Sequence, residues 1–299
     1  MEYRNIFLAN PARLSVQREQ LVIEQAEKIT VPLEDISSVL IESPQVTLTA
    51  CAAAAMAAYG ITVFLCDEKH LPNSQILPIN QYCRQRKLLM AQYEMGKPLQ
   101  KQLWQRIVVQ KIWNQSECLR LAGRPGWEEL RQMSGEVLSN DGDNREAVAA
   151  ALYFPRLFGE GFSRGSDDPR NAALNYGYAI LRGGIARNLV AHGLEPCIGI
   201  HHRSELNNFN LADDLIEPFR PIVDLYVAQN FTEDSDVLTP RQKTGLFNLT
   251  NCLVKQAGRR YRVMLAIDRT CMAMVNSIAE QCLMIELPEL IPLELHRYE

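Results

Sequence analysis

The sequence predicts an α+β fold, with a small N-terminal β-rich domain followed by a large all-α domain. Three observations predict it. Short β-branched or apolar runs broken by polar turns fill residues 1–77. The stretch from Leu71 to Asn80 then holds two prolines among turn formers and reads as a linker. Beyond it, helix formers with apolar residues three and four apart recur to about residue 285, and strand signals are nearly absent. The expected boundaries are 1–77 for the β-rich domain, 78–82 for the linker and 83–299 for the helical domain.

In chain order, Asn5–Leu8, Arg13–Val16, Gln20–Glu24 and Ser37–Ile41 are the expected strands. Val16 to Leu21 reads as a tight hairpin without the Asn-Gly signature, which leaves its turn type open. The Ala-rich run Thr47–Tyr59 is expected to be helical and to stop at Gly60, and Ile61–Leu65 returns to strand. Residues 82–120 predict helix around Leu88, Leu103, Ile107, Val108 and Ile112, interrupted at Gly96-Lys97-Pro98. Further helical windows fall at 128–138, 144–155, 170–193, 241–257 and 260–285.

Composition narrows the class. Among 299 residues, 47% are hydrophobic and 22% charged, as in a soluble, well-cored protein. The longest apolar run, Cys51–Tyr59, is too short for a bilayer, which needs about 20 residues, so no membrane association is expected. Met1-Glu2-Tyr3-Arg4 does not open a signal peptide, and a cytoplasmic location follows as the expectation. The eight cysteines form no Cys-x-x-Cys pair, which argues against zinc ribbons and redox motifs and leaves small buried hydrophobes as the simple account.

Net charge is −4, unevenly spread. Residues 81–124 hold nine Lys and Arg, among them Arg84, Arg86, Lys87, Lys97, Lys101 and Lys111, against Glu94 and Glu117. Such a stripe suits a polyanion as well as it suits an ordinary solvated helix face. Charge alone leaves the two even.

The chemistry-bearing residues lie later. His201-His202 directly precedes the acidic run Leu211–Pro221, in which Asp214 and Glu217 stand three apart and share a helix face. One imidazole with hard oxygen ligands is a donor set for Mg²⁺ or Mn²⁺. In an extended segment only one of two adjacent histidines faces a given site. Pro218 is expected to kink the helix at Glu217, and Arg220 offers Glu217 a plain ion pair instead. Glu146 falls in the first turn of a helix that Asp143 or Asn144 would cap, with small Ala149 and Ala150 beside it. Asp213 is a candidate cap for the acidic helix. P-loop and nucleophile-elbow motifs do not occur.

Together, Glu146 on its small-residue helix, Ala173–Ala179, Gly199-Ile200-His201-His202 and Leu211–Asp224 resemble the CRISPR-associated integrase family that inserts new spacers (the "Cas one" family), in its type II branch. The likeness spans nearly the whole chain. It implies metal ligands at Glu146, His202 and Glu217, the histidine being the one that closes Gly199-x-x-His202, with Asp214 auxiliary. It also implies a Mg²⁺- or Mn²⁺-dependent DNA endonuclease and integrase. Its partners would be double-stranded DNA with free 3′ ends, CRISPR repeat DNA, a second copy bound through the β-rich domain, and a small companion protein whose dimer is clamped by two integrase dimers. A stand-alone nuclease and a non-catalytic DNA-bridging scaffold are the alternatives.

Overall fold

A computed structural model describes residues 4–77, 84–232 and 238–294 of the chain. It divides into two compact units, Met1–Cys83 and Arg84–Glu299. The linker expected at 78–82 lies outside the described residues.

The first unit joins two four-stranded sheets. Its elements in order are β1 (Arg4–Leu8), β2 (Arg13–Gln17), β3 (Gln20–Glu24), β4 (Lys28–Pro32), β5 (Ile36–Ile41), the short β6 (Thr47–Leu48), α1 (Ala50–Ala58), β7 (Thr62–Cys66) and β8 (Pro72–Ile76). One sheet runs β1-β5-β7-β8, with β1, β5 and β7 parallel and β8 antiparallel at the edge. The other runs β4-β3-β2-β6. Alternating inward residues such as Leu14, Leu21, Val39 and Val63 are fully buried in a shared aliphatic core with Met56 of α1. The β2–β3 turn is now defined: Arg18 and Glu19 have φ of 51° and 61°, and positive φ at both central residues marks a type I′ turn. Thr49 caps α1 by accepting the Ala52 N–H.

Three strands go beyond the sequence expectation, the first being β6, whose Thr47 and Leu48 pair with β2 ahead of the helix expected to start at Thr47. β4 is largely exposed and lacks a clean alternation. β8 occupies part of the stretch that reads as a linker. Its Pro72 sits at the start of an edge strand, where a missing N–H is tolerated.

The second unit is mainly helical: α2 (Gln85–Tyr93), α3 (Lys97–Leu121), α4 (Trp127–Gly135), α5 (Arg145–Phe158), α6 (Pro169–Ala191), α7 (Asn210–Ile216), α8 (Arg220–Asn230), α9 (Pro240–Asn248) and α10 (Val263–Glu280). The expectation of an all-α domain needs one correction. Leu253–Gln256 (β9) and Arg259–Arg262 (β10) form an antiparallel hairpin where one helix is expected to end and another to begin. Gly258, with Ala257 also at positive φ, makes the turn that a helix would not accommodate.

α3 is the central element. From Leu103 to Leu119 most of its residues are buried, polar ones included, and it packs against α4, α5, α7 and α8. α6 lies against α7, α8, α9 and α10. Gly177 lets α6 approach α8 closely, since a Cβ there would stand 2.5 Å from Val223 Cγ1. Among the described residues no helix is long and apolar enough to cross a membrane.

Candidate functional site

α3, α5 and the α7–α8 junction bring the site together. Asp141 accepts the N–H groups of Arg145 (2.8 Å) and Glu146 (3.1 Å), capping α5 and setting Glu146 in its first turn. The cap is therefore neither Asn144, whose side chain makes no cap bond, nor Asp143, which pairs with Arg145 at 2.5 Å. Asn140, Asp141 and Asn144 all have positive φ, a tight approach that Asn and Asp tolerate.

Glu217 lies between α7 and α8 in a short 3₁₀ turn, Glu217–Phe219. Pro218 does not expel Glu217 from helical dihedrals (φ −51°, ψ −46°); the chain continues helically with its hydrogen bonding tightened. The Pro218 carbonyl is taken by buried Asn114 of α3 at 2.6 Å. Asn114 also accepts the Leu290 N–H at 3.0 Å, so this one side chain pins the turn against α3.

The two carboxylates meet at a cation. Lys111 Nζ is 2.6 Å from Glu146 Oε1 and forms an even closer ion pair with Glu217 Oε2. The second oxygen of Glu217 accepts from Arg220 Nε at 2.8 Å, and the Arg220 guanidinium stacks 4.5 Å above the Tyr178 ring. Apart from its Lys111 ion pair, Glu217 Oε2 has no hydrogen-bond donor. Burial pushes the Glu217 carboxyl up, but Arg220 and Lys111 outweigh it and hold it at about 2. Burial likewise lowers the Lys111 ammonium, and Glu217 and Glu146 more than compensate, so its pKa ends above the ordinary value.

His202 is held by the acidic helix α7. Asp214, fully buried, accepts the backbone N–H groups of Ile200 (2.6 Å), His201 (3.1 Å) and His202 (3.1 Å), and the His202 ring Nδ1 at 2.7 Å. That last bond occupies Nδ1 and leaves Nε2 as the ring's other nitrogen. It also raises the His202 pKa, against burial, with Asp214, Glu217 and Asp213 adding charge. Gly199 is required by this wrapping: a Cβ would collide with the His202 carbonyl and stand 2.9 Å from Asp214 Oδ2. Gln92 of α2 clasps the preceding loop through the Glu195 and Ile198 carbonyls and the Glu195 N–H.

Residues 198–202 bend around Asp214 instead of running extended, so strand alternation does not separate the two histidines, and both rings contact Trp104. The His201 ring stacks on Trp104 of α3 at 4.1 Å and 4°. It lines an open cleft of about 390 Å³ with Lys97, Gln100, Lys101, Asn140, Ile200 and Arg203.

Each sequence-derived residue now has a place. Glu146 and Glu217 converge. Asp214 anchors the histidine loop instead of sharing the carboxylates' cation, so its face-sharing with Glu217 does not bring the two to one site. Asp213 does not cap α7; it accepts from Asn207 at 2.7 Å. Of the basic stripe, Lys97 and Lys101 are exposed in the cleft, and Arg84, Arg86 and Lys87 are exposed around the start of α2. Lys111 is the correction. It is only 8% exposed and faces inward, because its apolar neighbours Ile107, Val108 and Ile112 place it on the buried side of α3. Asn114 and Trp104 build the site without having been singled out for it by the sequence, whereas Arg220 forms the ion pair with Glu217 that its i+3 position suggests. The spacing of Trp104, Val108, Lys111 and Gln115 at three and four residues is the signal that puts a lysine on an apolar face.

Among the described residues no three His, Cys, Asp or Glu side chains stand as a ready metal cage. The donor chemistry nevertheless fits a hard divalent cation. Two carboxylates from separate elements already bracket a single positive charge, and the imidazole of His202, oriented by a buried carboxylate, is a further donor of the kind such an ion takes.

Comparison with known proteins agrees with this architecture. The profile of the family described as "CRISPR associated protein Cas1" matches residues 6–261. The chain belongs to the Cas1 family. It is 43% identical, over 100% of both chains, to the CRISPR-associated endonuclease Cas1 of Neisseria meningitidis serogroup C (strain 8013). A Cas1 endonuclease of Pyrobaculum aerophilum is 28% identical over 72% of this chain and 77% of that one. Among solved structures, a casposase bound to integration product superposes with a TM-score of 0.74 at 20% identity, covering 94% and 91% of the two chains. A Cas1 protein of Thermotoga maritima superposes with 0.72 at 15% identity, covering 92% and 97%. The Cas1 fold in this chain thus spans both units.

Proposed function

We propose that this chain is the integrase of CRISPR spacer acquisition, of the type II branch, acting in the prokaryotic cytoplasm as a metal-dependent DNA endonuclease and strand-joining enzyme. The observation that carries the proposal is the convergence of Glu146 and Glu217, from α5 and the α7–α8 turn, on one cationic point. Its full-length relation to a Cas1 endonuclease supports the same chemistry.

In the joining reaction, the 3′-hydroxyl of a DNA fragment attacks a phosphodiester of the CRISPR repeat and displaces its 3′-oxygen. With water as nucleophile the same site cuts DNA. Glu146, His202 and Glu217 would hold the Mg²⁺ or Mn²⁺ ion, which supplies Lewis-acid polarisation of the phosphate and lowers the pKa of the attacking hydroxyl. The remaining work belongs to the chain's own groups. Asp214 fixes the His202 tautomer and ring plane. Arg220, seated on Tyr178, holds one Glu217 oxygen in place. Lys97, Lys101 and Arg203 line the cleft beside His201 and would draw a phosphate backbone toward the site.

The partners in this reading are double-stranded DNA with free 3′ ends, repeat DNA, a second copy through the β-rich unit, and a small companion protein whose dimer lies between two integrase dimers. The test is strand transfer with Mg²⁺ or Mn²⁺, from a short duplex with free 3′ ends into a supercoiled plasmid, with and without the companion. Joined product that vanishes in Glu146→Ala, His202→Ala and Glu217→Ala is the expected result, with His201→Ala milder than His202→Ala. Nicking without joining would leave a nuclease, and DNA binding without reaction would leave a scaffold.

A further inference from the structure

Lys111 is an unusual neighbour for two metal ligands. Its ammonium contacts both Glu146 and Glu217, and its side chain is 10% exposed, against 26% for Glu146 and 5% for Glu217. Without a cation there, two like charges would face each other in a poorly solvated space. The two basic residues on Glu217 differ in kind. Arg220 is held by a directed bond to Glu217 and by stacking on Tyr178, which makes it a fixed partner. Lys111 presents a compact charge on a flexible four-carbon stem, which swings without dismantling a fork of hydrogen bonds. Glu146 is the open side of the pair, and it offers the ammonium a path toward solvent.

We propose that Lys111 is a built-in competitor for the divalent cation: its ammonium gathers Glu146 and Glu217 at the cation position and leaves when the ion binds. This rests on the metal site proposed above. A divalent ion ligated by the same oxygens cannot share them with an ammonium at contact distance, because the two cations repel. Arg220 remains, so Glu217 keeps one compensating charge throughout. Lys111 is then a positioning residue. It preorganises the carboxylates and sets a threshold of metal concentration for assembly of the site.

The test uses full-length protein stripped with chelator and titrated with Mn²⁺, the free ion being followed by its electron paramagnetic resonance signal. Lys111→Met should bind Mn²⁺ about tenfold more tightly than wild type, and Glu146→Gln more weakly. A merely structural lysine would give the opposite sign, since its loss would loosen the carboxylates. In wild type, acetylation of Lys111 by an amine-reactive ester, read by mass spectrometry, should be slow without Mn²⁺ and about fivefold faster or more at saturation. This second readout holds even if Lys111→Met fails to fold. Equal or weaker Mn²⁺ binding by folded Lys111→Met overturns the proposal alone, as does unchanged acetylation with Mn²⁺ bound. Mn²⁺ binding indifferent to Glu146→Gln overturns the metal site, and this proposal with it.

Discussion

The two units bury different kinds of residue. Among the described residues, the polar side chains buried in the first unit are Ser38, Glu42, Ser43 and Thr62, set in an otherwise aliphatic core. The second buries, besides uncharged polar groups, the charged side chains of Lys111, Glu117, Asp141, Arg170, Asp214, Glu217, Asp224 and Lys243. Apolar burial is non-directional and stabilises in proportion to area. Buried charge contributes little net stability but fixes geometry, because each ion holds only while its partners are in place. Both units bury an apolar core, and the second sets charged side chains within it that serve placement.

The largest expected effect sets the two against each other. Glu217→Ala strips both Lys111 and Arg220 of a buried partner and should cost about 3–5 kcal/mol. Leu14→Ala, in the first unit, should cost about 2–5 kcal/mol by leaving a cavity. The distinction lies in rescue. Adding Lys111→Met to Glu217→Ala should recover part of the loss in chemical denaturation, because it removes a buried ammonium left with the partly exposed Glu146 alone. Leu14→Ala has no charge partner to remove. A Glu217→Ala protein as stable as wild type would erase the contrast.

The same difference explains how much of the molecule is legible in its sequence. Strand periodicity is loud where one face meets an aliphatic core, so β2, β3, β5 and β7 can be read directly. β4 and β8 cannot, because edge strands with polar faces carry no alternation. In the second unit, helices are readable from apolar spacing, but the β9–β10 hairpin turns at Ala257-Gly258 within charged, exposed sequence. Glu146, His202 and Glu217 come from motif resemblance, and the structure shows why the motif reads as it does: Gly199 has no room for a side chain. Lys111 counts toward a surface stripe only because a count of charges carries no direction. Its position beside Ile107, Val108 and Ile112 does. Asn114 acts by reaching across to other elements, a relation that local sequence does not encode, whereas the Arg220–Glu217 pair, three residues apart, is legible locally.

A second, smaller effect concerns Asp224. Its carboxylate accepts from Tyr153 at 2.9 Å and, more closely, from Tyr178, with Arg164, Arg220 and Cys118 also near enough to act on it. Burial pushes its pKa up to about 6, against the bonds from both tyrosines and the two arginines. The fold therefore favours the protonated form, and the sign follows. This group's contribution to stability is full below the unfolded value near 4, declines as pH rises toward 6, and is lost above it. The difference is about 3 kcal/mol at most. Asp224→Asn does not titrate, so wild type should lose stability relative to it between about pH 4.5 and 6.5. A stability difference that stays flat with pH would place the ionised carboxylate comfortably in the core, and the second unit would then accommodate charge more readily than burial implies.

The smallest effect on stability is expected where charge meets solvent. Lys97 and Lys101 are four residues apart on the exposed face of α3 and line the cleft with His201, whereas Arg84, Arg86 and Lys87 stand around the start of α2, outside that cleft. Glu substitutions at any of these should change folding stability by less than about 0.5 kcal/mol. DNA affinity should separate the groups. For every phosphate no longer neutralised, the slope of log affinity against log salt flattens by about 0.9, so Lys97→Glu with Lys101→Glu should remove nearly two units. Fluorescence anisotropy on a labelled duplex across a salt series would measure it. Triple reversal at 84, 86 and 87 with the larger change would move the DNA path to α2. No change from either set would make the whole stripe an ordinary solvated face, leaving the buried cations of the second unit as the ones that bear on function.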